Sequence, residues 1–131
     1  MIKAHPFKES YYKTACEWWE GHGWDAVPQV FLPVVGFVIE DDGIPRCMAW
    51  LKQENSTPIA MLEWLVTNPE NTPRQTMRAI KAVTGTARDC AKAMGRVALF
   101  TYCKQPSLAR VYENSGFQQT DSGMIHLTMP L

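Results

Sequence analysis

The chain has 131 residues, 46% of them hydrophobic and 20% charged, which is the size of one globular domain with a substantial core and leaves no room for a second. Thirteen basic residues balance thirteen acidic ones, so the strong positive field that draws a protein onto duplex nucleic acid is missing, and nucleic acid is not an expected partner. No segment approaches the ~18 uninterrupted apolar residues that cross a bilayer, and Met1 to Pro6 lack the apolar stretch of a secretory signal, so a soluble cytoplasmic protein with no membrane partner is expected.

In chain order, Ile2 to Phe7 reads as a first strand. Glu9 to Gly21 carries Tyr12, Cys16 and Trp19 at helical spacing, with Gly21 and Gly23 as stops. Asp25 to Pro33 contains Pro28 and Pro33 and reads as a loop with at most a turn of helix. Val34 to Glu40 is β-branched and apolar, Asp41-Asp42-Gly43 turns the chain, and Arg46 to Lys52 returns as the second arm of a hairpin. After the polar turn Gln53 to Pro58, Ile59 to Thr67 is the most continuous apolar strand in the sequence.

The next helix is signposted at both ends. Thr72 caps it, Pro73 suits its first position, and Gln75 completes a Thr-x-x-Gln capping box. Met77, Ile80, Val83, Ala87, Cys90 and Met94 recur every three or four residues as a core-facing stripe, and Gly95 stands where a left-handed C-cap residue belongs. Gly85, inside the helix, costs up to about 1 kcal/mol relative to alanine, which points to close packing against a strand or ligand at that position. Val97 to Cys103 alternates as another strand, Pro106 opens a short helix through Asn114, and Phe117 to Thr120 and Met124 to Met129 read as closing strands.

The sum is a single α/β domain over residues 1–131, a mixed sheet of about six or seven strands flanked by three or four helices. The strands Ile59 to Thr67 and Val97 to Cys103, joined by a helix, form a right-handed parallel crossover near the sheet's centre. A cleft then belongs at their carboxyl ends, where the start of the helix is also a seat for an anion. Cys16, Cys47, Cys90 and Cys103 show no metal or redox spacing and read as reduced thiols. His5, His22 and His126 are equally dispersed, so neither a metal site nor a histidine triad is expected.

Two stretches carry a family resemblance. Leu65-Val66-Thr67-Asn68-Pro69 leads into Arg74-Gln75-Thr76-Met77-Arg78-Ala79, and Gln105 to Phe117 ends in Tyr112-Glu113-Asn114-Ser115-Gly116-Phe117. They resemble the GCN5-related N-acetyltransferase family, in which a strand ending Val-x-Pro precedes Arg/Gln-x-x-Gly-x-Gly/Ala, and the amides of that turn hold the coenzyme A pyrophosphate. Arg74 and Ala79 match the outer positions, and Met77 replaces the central glycine, where backbone must approach phosphate closely. The family's later motif, Asn-x-x-Ala-x-x-x-Tyr-Glu-Lys-x-Gly-Phe, is met at Tyr112, with Gln105 in place of the asparagine.

The resemblance implies a GNAT-like fold that transfers an acetyl group from acetyl-CoA directly to an amine within a ternary complex. Arg74, Gln75, Thr76, Met77, Arg78 and Ala79 would hold the pyrophosphate, Gln105 the pantetheine arm, and the amides of Leu65, Val66 and Thr67 the thioester carbonyl. Tyr112 would protonate the departing thiolate. The base would be Glu63, the only ionisable residue between Ile59 and Thr67, whose plainer reading is a half-exposed strand carboxylate; Arg74 and Arg78 likewise double as a solvated basic face. Trp18 and Trp24 would wall the acceptor site for a planar or cationic amine, while Trp19 is core. The acceptor, a small-molecule or protein amine, is not chosen by the fold, and a homodimer through the carboxyl-terminal strands is compatible. Met77, Pro73 and the early helix cap favour an alternative, a coenzyme-free binding or structural protein of the compact kind met in phage and prophage. An enzyme using another nucleotide-like ligand is the third reading.

Overall fold

In the computed structural model, which describes residues 1–131, the elements run β1 (Ile2–Pro6), a 3-10 turn, α1 (Tyr12–Gly21), a second 3-10 turn, β2 (Val35–Asp41), β3 (Ile44–Gln53), β4 (Ile59–Thr67), α2 (Pro73–Ala93), β5 (Ala98–Phe100) and α3 (Pro106–Asn114). The strands lie side by side in the order β1-β2-β3-β4-β5, antiparallel up to β4, with β5 parallel to β4. This is the expected α/β arrangement, with five strands and three helices.

Local chemistry sets the framework. Asp42 (φ 53°) and Gly43 (φ 78°) are consecutive left-handed residues, the pattern of a tight hairpin turn whose twist matches the flanking strands, and they join β2 to β3. At the start of α2 the Thr72 hydroxyl accepts from the Gln75 amide, while the Gln75 side chain accepts from the Thr72 amide, completing the capping box.

Alternation along β2 and β3 divides the core between two faces. On one, Ala79, Ile80, Val83 and Ala87 of α2 pack with Tyr112 of α3 against Phe37, Ile39, Cys47, Ala49 and Leu51. On the other, Ala15, Trp18 and Trp19 of α1 pack against Val38, Met48, Trp50 and Val66. Trp19 stacks on Trp50 with ring centroids 5.7 Å apart. A Cβ at Gly36 would stand 2.4 Å from Trp50 Cδ1, so the indole needs the bare backbone beneath it.

Several expectations are corrected. The buried stripe of α2 is Ala79, Ile80, Val83, Thr84, Ala87 and Ala91, with Met77 and Met94 on the surface at 45% and 39% exposure. Small alanines let the helix sit close to the sheet, and the long methionines fall at the margins of its buried face. Gly85 is not required by packing, because the nearest atom to a Cβ there would be Arg88 Nη2 at 3.9 Å. The strand expected over Val97 to Cys103 contracts to Ala98–Phe100, and the closing strands near Phe117 to Thr120 and Met124 to Met129 do not form. A strand needs an edge to pair with, and β5 is three residues long. Phe117 packs instead edge-on against Tyr112 at 5.3 Å. Beyond the left-handed Gly123, the side chains of Met124, Ile125, Leu127 and Met129 are all exposed. No helix is long and apolar enough to cross a membrane.

Candidate active site

The two parallel strands part company. Ile59, Ala60 and Met61 pair with Ala98, Leu99 and Phe100, and the Thr101 hydroxyl then donates to the Leu62 carbonyl at 2.9 Å. Beyond that bond β4 continues to Thr67 with β3 on one side and no strand on the other. Thr101 and Leu62 mark the apex of a wedge whose wall is the main chain of Glu63 to Thr67.

That wall is distorted. Glu63 pairs with Trp50 and Val66 with Met48, so Trp64 and Leu65 together face the single residue Ala49 in a β-bulge. A bulge leaves one residue out of the ladder and bends the strand, a device common beside active sites. Trp64 sits at φ 59°, a left-handed conformation that costs a bulky residue about 1 kcal/mol or more. The β3–β4 ladder is thereby interrupted at Trp64 and Leu65.

Ionisable groups stand near the apex of the wedge. Tyr112 is 4% exposed; burial pushes its phenol well above the ordinary range, and a hydrogen bond with Thr101 opposes this only in part. The phenol therefore stays protonated at neutral pH, packed in the core beside the apex. One residue beyond the apex on each arm stand half-buried Glu63 and exposed Tyr102. The Tyr102 phenol is raised first by desolvation and then by the negative charge of Glu63. Sequence reasoning missed Tyr102, although counting the parallel register onward from Met61 and Phe100 leads to it.

The mouth of the wedge is built by α1. His22 Nε2 lies 2.8 Å from the Thr67 carbonyl, and its ring stacks on Trp24 at 4.8 Å and 25°. The end of α1 comes this close because Gly21 has no side chain: a Cβ would stand 2.7 Å from Pro69 Cγ. His22 also escaped sequence reasoning, since its partner is 45 residues away. Trp24 is 48% exposed at the mouth, whereas Trp18 is closed into the α1 core at 6%. Of the two tryptophans expected to wall an acceptor site, only Trp24 is accessible, because the α1 face of the sheet takes both Trp18 and Trp19 to fill it.

The loop from β4 to α2 is braced against the start of β3. Asn68 gives its amide to the Arg46 carbonyl and its side chain to the Pro45 carbonyl, and Asn71 and Arg46 exchange two bonds. In the first turn of α2, Pro73 has no N–H, the Gln75 amide is held by the Thr72 hydroxyl at 3.2 Å and the Thr76 amide by the Thr72 carbonyl at 3.0 Å. Arg74 alone keeps a free amide there.

The stretch Arg74 to Ala79 therefore lies inside the helix and not in a turn before it. The amides of Met77, Arg78 and Ala79 serve α2, Ala79 is buried, and Arg78 Nη2 lies 3.7 Å from Asp41 Oδ2. Gln105 precedes α3 with an exposed side chain that makes no capping bond. A hollow of about 410 Å³, lined by His5, Phe7, Val34 and Gly36 among others, opens along the β1–β2 edge away from these groups.

A mixed sheet that forks between its two parallel strands beside a capped helix start defines an α/β fold of the acetyltransferase class. The chain has the fold of the GCN5-related N-acetyltransferases. It superposes on the ribosomal-protein-S18-alanine N-acetyltransferase from Escherichia coli with a TM-score of 0.74 and 15% identity, over 92% of this chain and 80% of that one. It superposes on AAC(6')-Iy, solved in complex with the bisubstrate analog CoA-S-monomethyl-acetylneamine, with a TM-score of 0.70 and 12% identity over 99% of both chains. Glucosamine-6-phosphate N-acetyltransferase from Arabidopsis thaliana gives a TM-score of 0.66 and 16% identity over 97% of this chain and 98% of that one. At these identities the likeness establishes the fold. No protein-family model matches the chain, and no curated protein matches its sequence.

Proposed function

We propose that the protein is an N-acyltransferase that binds acetyl-CoA in the wedge and passes the acetyl group to an amine by direct attack in a ternary complex. The observation that carries this reading is the parting of β4 and β5 after Leu62, which leaves the edge of Glu63 to Thr67 open to an extended amide-bearing chain. A pantetheine arm carries amides of that kind and can pair with a strand edge as a peptide does.

The residues of the wedge divide the chemistry. The amides near Trp64 and Leu65 donate to the thioester carbonyl oxygen and stabilise the charge that grows there as the amine nitrogen attacks its carbon. Glu63 takes the proton the ammonium must lose, directly or through water. Tyr112, kept protonated by burial, gives its phenolic proton to the sulfur as the carbon–sulfur bond breaks. Thr67 and His22 border the entrance, and Arg74 offers a free amide and a guanidinium to the pyrophosphate at the start of α2. Rate enhancement comes mainly from holding amine and thioester together. The acceptor is a small-molecule or protein amine, and exposed Trp24 favours a planar or cationic one.

The self-satisfied start of α2 favours a second reading, a binding or structural protein that keeps the fold without the coenzyme. Calorimetric titration with acetyl-CoA separates the two. The transferase reading expects a dissociation constant in the micromolar range, and absence of heat at millimolar ligand leaves only the scaffold.

A further inference from the structure

The wedge begins at Leu62, and the direction of that residue's main chain follows from the other side of the strand. Glu54 donates its amide to the Ile59 carbonyl. In the antiparallel ladder the main-chain groups of Ile59, Met61 and Glu63 therefore face β3, and those of Ala60 and Leu62 face β5. On the parallel side Met61 stands opposite Phe100, so Leu62 and Thr101 come next in step. A regular continuation would bring the Tyr102 amide to the Leu62 carbonyl. The Thr101 hydroxyl takes that carbonyl instead, at 2.9 Å. Side chains of a regular strand stand perpendicular to the sheet. A hydroxyl bonded to a carbonyl directed along the sheet thus replaces the ladder's own donor, and β5 ends at Phe100. Leu62 is 2% exposed, and a carbonyl in such a setting needs a donor from one source or the other.

We propose that Thr101 is a positioning residue that sets where the wedge begins, its hydroxyl satisfying the Leu62 carbonyl in place of the main chain. Without the hydroxyl, the Tyr102 amide is the next donor in step, the ladder advances by one bond, and the slot shortens at its apex beside Glu63. The effect on the coenzyme rests on the wedge being the acetyl-CoA site; the effect on the strands does not.

Three variants and two readouts test it. Thr101→Val keeps the branched shape and removes the hydroxyl, Thr101→Ala removes it with a smaller side chain, and Thr101→Ser retains it. In the ligand-free protein, amide hydrogen exchange at Tyr102 should slow about three- to tenfold in the valine and alanine variants, the range of one hydrogen bond gained, and stay within about twofold in the serine variant. Calorimetry with acetyl-CoA should show valine and alanine weakening binding over the same range and serine leaving it unchanged. Turnover is not the readout, because Thr101 also meets the Tyr112 phenol. Exchange at Tyr102 that is unchanged or faster without the hydroxyl, or that slows equally in the serine variant, overturns the proposal. If exchange slows as expected and the unaltered protein binds no acetyl-CoA, the role of Thr101 stands and the transferase reading falls.

Discussion

Replacing Thr72 by alanine sets the stability of α2 against anion binding at its start. The Thr72 hydroxyl holds the Gln75 amide at 3.2 Å, and this is the bond the substitution removes; the Thr72 amide keeps its own bond to Gln75 Oε1 at 2.8 Å. Loss of an N-cap hydroxyl costs about 1 kcal/mol, which lowers the melting temperature of a domain this size by roughly 3–5 °C. Pro73 has no N–H, so in the variant the amides of Arg74 and Gln75 both stand free. A pyrophosphate bound there takes the Gln75 amide, which in the unaltered protein it must first win from Thr72. The loss then falls on the free protein alone. Acetyl-CoA should bind Thr72→Ala up to about fivefold more tightly than the unaltered protein, the equivalent of that ~1 kcal/mol. Saturating ligand should erase most of the difference in melting temperature. Scanning calorimetry with and without acetyl-CoA reads the effect, and acetylated pantetheine, which lacks the pyrophosphate, should give no such compensation. Equal destabilisation in the presence and absence of acetyl-CoA would refute the reasoning and move the phosphates away from α2.

Tyr112→Phe keeps the ring that packs against Phe117 and removes only the phenol; turnover should fall at least about tenfold while the acetyl-CoA dissociation constant moves less than about twofold. Equal losses in both, measured by thiol release and calorimetry, would take Tyr112 off the leaving sulfur. Gly85→Ala should stabilise the protein by about 0.5–1 kcal/mol, since a Cβ meets nothing nearer than Arg88 Nη2; a lower denaturation midpoint would contradict this. Burial raises the Cys47 thiol and the Tyr112 phenol above their ordinary values of 9.0 and 10.0. Both then stay protonated in the folded protein while ionising in the unfolded chain, so their contribution is complete below pH 9 and lost as pH rises. The slope is roughly 1.4 kcal/mol per pH unit for each group. Urea titrations should show stability declining from about pH 9 upward and declining less steeply in Cys47→Ala, where the Cys103 thiol and the Tyr112 phenol remain; a Cys47→Ala curve parallel to the parent would argue against it.

Features whose causes lie within a few residues were legible in the sequence. Asp42-Gly43 turns the hairpin, and Thr72, Pro73 and Gln75 start α2, because a left-handed turn and a helix cap are local problems with local solutions. The parallel pair followed from the strand-helix-strand order, but it lies at the sheet's edge and not near its centre, because no strand forms beyond β5. The motif resemblance placed a phosphate turn at Arg74 to Ala79, where the helix signals had already begun a helix, and the capping box prevailed because it satisfies donors that a loop would leave open. Features that depend on distant partners stayed hidden. Trp18 was expected at the cleft, yet the sheet face under α1 is broad enough to bury it beside Trp19. The closing strands had suitable residues but no edge to receive them. Tyr102 reaches the site only through a register that counts from Ile59 and Ala98, and His22 only through the close pass of Gly21 over Pro69.

Mapping backbone amide shifts by nuclear magnetic resonance during titration with acetyl-CoA tests the wedge most directly. Shifts should concentrate at Glu63 to Thr67 and Thr101 to Cys103, with Arg74 at the start of α2. Shifts gathered along the hollow beside His5 and Gly36, or none at millimolar ligand, would contradict a coenzyme seat between β4 and β5.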